Sequence, residues 1–416
     1  MFRWAEQGGQ YRPLTDLDVE AIHAESLAIL GEVGVQAHFG TGGSPAAVLP
    51  PGADEVRPAR LSDVAKLAML ADALKELDFF VLPVTPTDVP HDALAVHRFY
   101  AALCYTTKHI MGGLINLEGA RQVFEMGSLI AGGPEALRER PFISAMASWM
   151  VSPLTFDPDV TEILPFWCRQ GMPVALSPVT LAGTLVQLNA EQLAGIVYTQ
   201  LLRPGAPVLA GYIPGQMNPA TGGYLGGTPE FGMMQAGAAQ LAQFYGVPIY
   251  CSGGMTDSKL PDQQAGYEKM LTLLLTAMAG ASYIHHAAGM IENMNVVSYE
   301  QMALDNDLIL MIKRVLRGLN TDMGSLAGEA IRRVGPGGHY LLDDHTIRHL
   351  RDEMIFPRFA DRAGREEWRA AGAKDSRQRA TEWVERVLSR PLERRLPASL
   401  DQELRARFGV RDGLSE

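Results

Sequence analysis

Short β-rich runs alternate with helical runs from Phe79 onward, and this alternation restricts the fold more than any other feature of the chain. The strand candidates are 79–84, 109–113, 142–151, 174–176, 208–213, 249–252 and 283–286. Helical runs near 93–105, 119–130, 159–170, 190–202, 229–245, 264–279 and 299–319 separate or follow them. The pairs recur at roughly 30–40 residues, the length of a βα unit, and alternating βα units predict a parallel sheet. Several strands are apolar throughout, as a sheet covered on both faces requires. Seven visible units favour an α/β fold closed as a TIM (β/α)8 barrel over an open doubly wound sheet. The eighth strand is expected near 327–334 or from the N-terminal part. The expected organisation is an N-terminal helical segment (1–78), a barrel (79–335) and a C-terminal helical extension (336–416). In the first segment, Thr15 or Asp16 can cap an apolar helix that Gly34 stops, 37–58 reads as a Gly- and Pro-rich loop, and a helix runs over 61–77. In the last segment, the spacing of Trp383, Val384 and Val387 predicts a helix packed on the barrel exterior.

The formal net charge of −11 disfavours a nucleic-acid or anionic-membrane binder, since both need a basic surface. Residues 270–291 carry no Asp, Glu, Lys, Arg or Pro, yet His285 and His286 and a break at Gly280 indicate a buried helix followed by a strand, not a membrane span. No apolar signal follows Met1, so a cytoplasmic chain is expected. Three dispersed cysteines, Cys104, Cys168 and Cys251, form no CxxC pair and suit a reducing compartment.

Barrel chemistry sits where strands end. The loop after 249–252 pairs Gly253 with Gly254, which allows close backbone approach, and continues through Asp257 and Lys259 to Glu268 on the next helix. The competing reading is a turn capped by Asp262. His285 and His286 end an apolar strand, where alternation lets only one face the barrel axis. Trp149, Phe156, Tyr212 and Tyr283 are aromatic candidates by the same criterion, each equally consistent with core. No metal site is expected: HExxH and HxH are absent, and His345 and His349, although four apart, read better as capping and surface polarity. No GxxxxGK[ST], GxGxxG or GxSxG is present, which argues against nucleotide-phosphate binding and a serine-hydrolase elbow.

Several ordered blocks carry a resemblance. They are 22–35 (IHAESLAILGEVGV), 178–191 (PVTLAGTLVQLNAE), 253–268 (GGMTDSKLPDQQAGYE), 281–290 (ASYIHHAAGM) and 334–339 (VGPGGH). Together they make the chain similar to the trimethylamine methyltransferase (MttB-like) family, from residue 14 to about 388. The resemblance implies a TIM barrel that moves a methyl group from a methylated amine to the Co(I) of a separate corrinoid protein. The corrinoid, a cobalamin, then belongs to the partner, and this chain binds no cofactor of its own; a homo-oligomer is compatible with that. The chain holds no pyrrolysine, the residue used by the family's trimethylamine enzymes, and this points to a quaternary, betaine-like donor. Asp257 and His286 are then the catalytic candidates. Trp149, Phe156, Tyr212, Gly253, Gly254, Lys259, Glu268, Tyr283 and His285 are the substrate-binding candidates: the aromatic faces would attract a quaternary ammonium, Asp257 or Glu268 would add negative charge, and His286, Lys259 or the loop amides would meet a substrate carboxylate. Two alternatives stay open: a barrel enzyme acting on a small methylated acid without corrinoid, and a protein that binds a quaternary amine without turnover.

Overall fold

The computed structural model describes residues 37–146, 150–151, 155–156, 181–218, 224–390 and 394–411. Residues 1–36 lie outside the described residues, and with them the expected first helix.

Seven parallel strands form one curled sheet: β1 (His38–Thr41), β2 (Phe79–Val81), β3 (His109–Gly113), β4 (Ile143–Met146), β5 (Ala210–Tyr212), β6 (Ile249–Ser252) and β7 (Tyr283–Ala288). Their spatial order is β4-β3-β2-β1-β7-β6-β5, so chain order is kept around the curl and β7 returns to pair with β1. This is an α/β barrel sheet. The expected strand at 174–176 falls in chain order between the two edge strands and lies outside the described residues, as does the expected helix at 159–170. Helices α1 (Leu61–Ala73), α2 (Leu94–Tyr105), α3 (Leu117–Ala131), α4 (Leu181–Leu202), α5 (Pro229–Tyr245), α6 (Gln263–Met278) and α7 (Tyr299–Leu316) supply the outer layer. Among the described residues no helix is long and apolar enough to cross a membrane.

Two expectations are corrected. The segment 37–58 is not a loop: it holds β1 and the short strands Ala47–Leu49 and Arg57–Pro58. The extra barrel strand therefore comes from the N-terminal part, whereas 327–334 is mostly the helix Gly328–Val334. β1 is four residues long and includes Gly40, so its strand character comes from partners on both sides and not from propensity. The expected single strand at 142–151 is also broken: Met150–Val151 leaves the barrel sheet and pairs antiparallel with Thr155–Phe156.

Alternation along each strand separates two cores. Phe79, Val81, Met111 and Tyr250 pack together with Met146 and Tyr283 packed on them, filling the barrel interior. Phe39, Phe80, Ile110, Ile143, Cys251 and Ile284 face the helices. The C-terminal helix Ser376–Leu388 buries Trp383, Val384 and Val387 and packs on α1 and α7, as its spacing predicts. A second helix, Ala398–Phe408, is tied down by Asp401, which accepts from Tyr100 on α2 at 2.5 Å and pairs with Arg394 at 2.6 Å and Arg405 at 3.1 Å.

Asp63 on α1 ties the first strands to the last barrel helix. Its fully buried carboxylate accepts two bonds from Arg57, at 2.7 and 2.8 Å, and one from the Tyr299 hydroxyl at 2.7 Å. Burial alone would raise its pKa, but these donors hold it below the usual Asp value. Asp63→Ala leaves the buried Tyr299 hydroxyl and half-exposed Arg57 without their acceptor. It is expected to cost about 2–3 kcal/mol in urea unfolding at neutral pH. The wild-type advantage is present above the ordinary Asp pKa and is lost as pH falls through the lowered one.

Candidate functional site

The loop after β6 is set by one buried ion pair. Lys269 on α6 and Asp305 on α7 lie 3.2 Å apart, both with fully buried side chains. The Lys269 ammonium also donates to the carbonyls of Gly254 and, at 3.1 Å, Met290, so it joins the loops after β6 and β7. Asp305 accepts from the Gly289 amide and the Gln301 side chain, each at 2.8 Å. Burial pushes the Lys269 pKa down and the Asp305 pKa up, and each partner's charge opposes the shift. With all three ammonium protons and both carboxylate oxygens engaged, the pair can stay ionised without water. Gly254, at φ +78°, lies against the backbone of Ala287, where a Cβ would meet Cα and O at 3.1 Å. The Gly253 amide donates to the His285 carbonyl at 2.9 Å.

Asp257 and Glu268 come together on the rim beyond this loop. One Glu268 oxygen accepts from the Thr256 hydroxyl at 2.6 Å and the Asp257 amide at 2.8 Å; the other accepts from Gln264 at 2.8 Å. The Asp257 side chain accepts from the amides of Gly226 and Gly227, at 3.0 and 3.3 Å, which draws in the loop after β5. Lys259 is exposed and donates to the Asp257 carbonyl at 2.8 Å. The loop after β7 completes the rim with three consecutive non-glycine residues at positive φ: Glu292, Asn293 and Met294. Such backbone is uncommon and costs free energy, so it has to be held in place. The Glu292 amide donates to Ser258 at 2.8 Å and the Asn293 amide to Thr256 at 3.0 Å. Asp262 caps α6 by accepting from the Ala265 amide at 2.9 Å, so the polar loop is also the capped turn of the competing reading.

The histidines depart from the expected alternation. His286 has φ +64°, and the β1–β7 register slips there: Phe39 faces Ile284 but Thr41 faces Ala288. The bulge turns both rings to one side, stacked with centroids 3.6 Å apart. Both are buried, and the nearby backbone of Gly42 has room for neither a Cβ nor a larger group, which would run into both rings. His285 Nε2 accepts from the Gly43 amide at 3.2 Å, so in the neutral ring Nδ1 carries the proton and donates to the Tyr250 hydroxyl. Tyr250 passes its own proton toward the Met146 sulfur at 3.1 Å. His286 Nδ1 shares a 2.7 Å hydrogen bond with the Ser252 hydroxyl. Burial, with the neighbouring His286, holds His285 well below the usual imidazole pKa; burial and the Lys269 charge bring His286 down to about 3. Both rings are therefore neutral at physiological pH.

Two aromatic candidates are placed elsewhere than expected. Tyr212 faces the helix layer, where its hydroxyl donates to Asn189 on α4 at 2.7 Å. It occupies an outward register position, the opposite parity from Tyr250. Tyr283 opens β7 instead of closing it, and it stacks on Phe79 at 3.7 Å in the barrel interior. Trp149 lies outside the described residues, and of Phe156 only the backbone in Thr155–Phe156 is described. Sequence reasoning missed Lys269, Asp305, Ser252 and Asn293. A Lys inside an otherwise apolar helix run was the one available signal, because a fully buried Lys needs a carboxylate. Among the described residues no cluster of three or more His, Cys, Asp or Glu is placed to hold a metal ion. His345 and His349 lie on the helix Asp344–Glu353, whose cap is Asp343, itself paired with Arg333 at 2.8 Å.

A family model described as trimethylamine methyltransferase matches residues 36–412. A trimethylamine methyltransferase of Desulfitobacterium hafniense is 37% identical over 378 residues, covering 89% of this chain and 75% of that protein. One from Methanosarcina barkeri is 38% identical over 78% of this chain and 68% of its own length. A glycine betaine methyltransferase of Desulfitobacterium hafniense is 31% identical, over 85% of this chain and 74% of its own.

A histidine whose folded pKa is depressed binds no proton where the unfolded one does. For His286, stability therefore rises with pH between about 3 and the ordinary value near 6.5, by about 1.4 kcal/mol per pH unit. His286→Gln is expected to remove up to that slope from urea-unfolding free energies measured between about pH 6 and pH 4. An unchanged slope would show that the ring is solvated in the folded protein.

Proposed function

Since this chain belongs to the trimethylamine methyltransferase family, and is on that ground a methyltransferase acting on methylamine- or betaine-type donors, we propose that its methyl donor is a quaternary amine and its acceptor the Co(I) of a corrinoid held by a partner protein. The observation that carries this reading is the neutral, buried pair His285 and His286 beside the loop after β6. In the transfer, the acceptor's electron pair forms the new bond to the methyl carbon, the C–N bond breaks, and its electrons stay on nitrogen. A quaternary nitrogen leaves neutral and needs no proton. A trimethylammonium ion, the prevalent form at neutral pH, must first lose a proton or be activated in another way. A site whose two imidazoles carry no exchangeable charge suits the first donor better than the second.

The chain's own residues bind and orient. Asp257 and Glu268, both half-buried, place negative potential on the rim beside the loop after β6. The Lys269–Asp305 pair keeps that loop in one position, and holding the methyl in line with its acceptor is chiefly a matter of such positioning. The stacked histidines place two buried, uncharged rings beside that loop. Catalysis by desolvation and alignment requires no general acid, which agrees with the sparse inventory of titratable groups free to act.

The test is a purified assay with a reduced corrinoid protein. Glycine betaine is expected to bleach the Co(I) absorbance and to yield dimethylglycine, while trimethylamine leaves the spectrum unchanged. Consumption of trimethylamine with glycine betaine untouched would overturn the proposal.

A further inference from the structure

α2 carries a buried charge that no described carboxylate neutralises. Arg98 is 4% exposed. Its Nη2 donates to the Leu82 carbonyl at 2.9 Å and to the Ser44 hydroxyl at 2.8 Å. Nε meets no acceptor, and no described hydrogen bond uses Nη1. Burial alone lowers its pKa, to about 10, and among the described residues no carboxylate opposes that shift. The contrast with Lys269 is direct: that buried cation has Asp305 at 3.2 Å. An uncompensated buried guanidinium is costly, and its planar fork is shaped for a carboxylate.

Its location gives the charge a use. Leu82 follows β2 and Ser44 follows β1, so the guanidinium sits at the C-terminal ends of both strands, where barrel sites lie. Gly43, next to Ser44, is the residue whose amide holds His285 Nε2. The chain thus links Arg98 to the stacked rings through two consecutive residues, Ser44 and Gly43. Lys259 and His286 are less suited to hold a substrate carboxylate: Lys259 is exposed and bonded to its own loop, and His286 is neutral.

We propose that Arg98 is the residue that reads the carboxylate of the donor, so that the substrate is a zwitterion carrying a quaternary ammonium at one end and a carboxylate at the other. This rests on the quaternary-amine reading above and narrows it to betaines as opposed to simple tetraalkylammonium ions.

Calorimetric binding to the full chain tests it with glycine betaine, its neutral amide and tetramethylammonium. The wild type is expected to bind glycine betaine at least tenfold more tightly than the other two. Arg98→Met is expected to bring all three within about twofold while tetramethylammonium binding holds. Arg98→Lys, which keeps the charge without the fork, serves if the Met variant fails to fold; its preference is expected to fall at least threefold. Equal wild-type affinities for the three ligands would overturn the inference. So would equal losses for all of them in Arg98→Met, as for a strut between two loops, or an undiminished preference in Arg98→Lys. In those cases the quaternary-amine reading stands. Wild type binding none of the three would remove that reading and this one with it.

Discussion

The candidate site depends on how β7 closes against β1. A regular strand would send His285 and His286 to opposite faces, one into the barrel and one into the helices. The left-handed conformation of His286 breaks that rule, and the register slip against β1 absorbs the extra residues. Both rings then stack on one side, where only a glycine at position 42 leaves space for them. Their hydrogen bonds to Tyr250, Ser252 and the Gly43 amide satisfy the polar atoms they engage, and burial without charge follows. Closure of the sheet and neutrality of the site are one constraint seen at two scales.

The loops after β5, β6 and β7 are held together from both sides. From below, Lys269 bridges the carbonyls of Gly254 and Met290 with its charge matched by Asp305. From the rim, Asp257 gathers the amides of the preceding loop and Asn293 bonds back to Thr256. The left-handed turn at Glu292–Met294 is held by the amides of Glu292 and Asn293, which are committed to the neighbouring loop. Such rigidity is what a reaction governed by alignment requires.

Much of the architecture could be read from periodicity. The strands 109–113 and 249–252 and the helix 229–245 coincide with the structure, because apolar runs bounded by Gly and Pro carry their own boundaries. β1 was not legible, since four residues with a central Gly become a strand only through neighbours distant in sequence. At the candidate site, motif blocks directed attention to the loop after β6 and to the histidines, which the structure places side by side. What failed was parity and position. Tyr212 points outward because it is one residue out of phase with the inward set, and Tyr283 begins its strand instead of ending it. Arg98 gave no local sign at all, since nothing in a helix sequence says that a guanidinium will be sealed without a counter-ion among the described residues.

The β1–β7 contact joins residues 242 positions apart, as between Gly43 and His285. During synthesis at about 5–20 residues per second, β1 therefore emerges from the ribosome roughly ten to fifty seconds before its closing partner. Through that interval the nascent chain presents a half-made sheet with an open edge, a surface prone to off-pathway association. The same geometry that gives the finished molecule its stacked rings makes its biogenesis slow, and yields of soluble protein should respond to translation speed and chaperone supply more than to the stability of the completed fold.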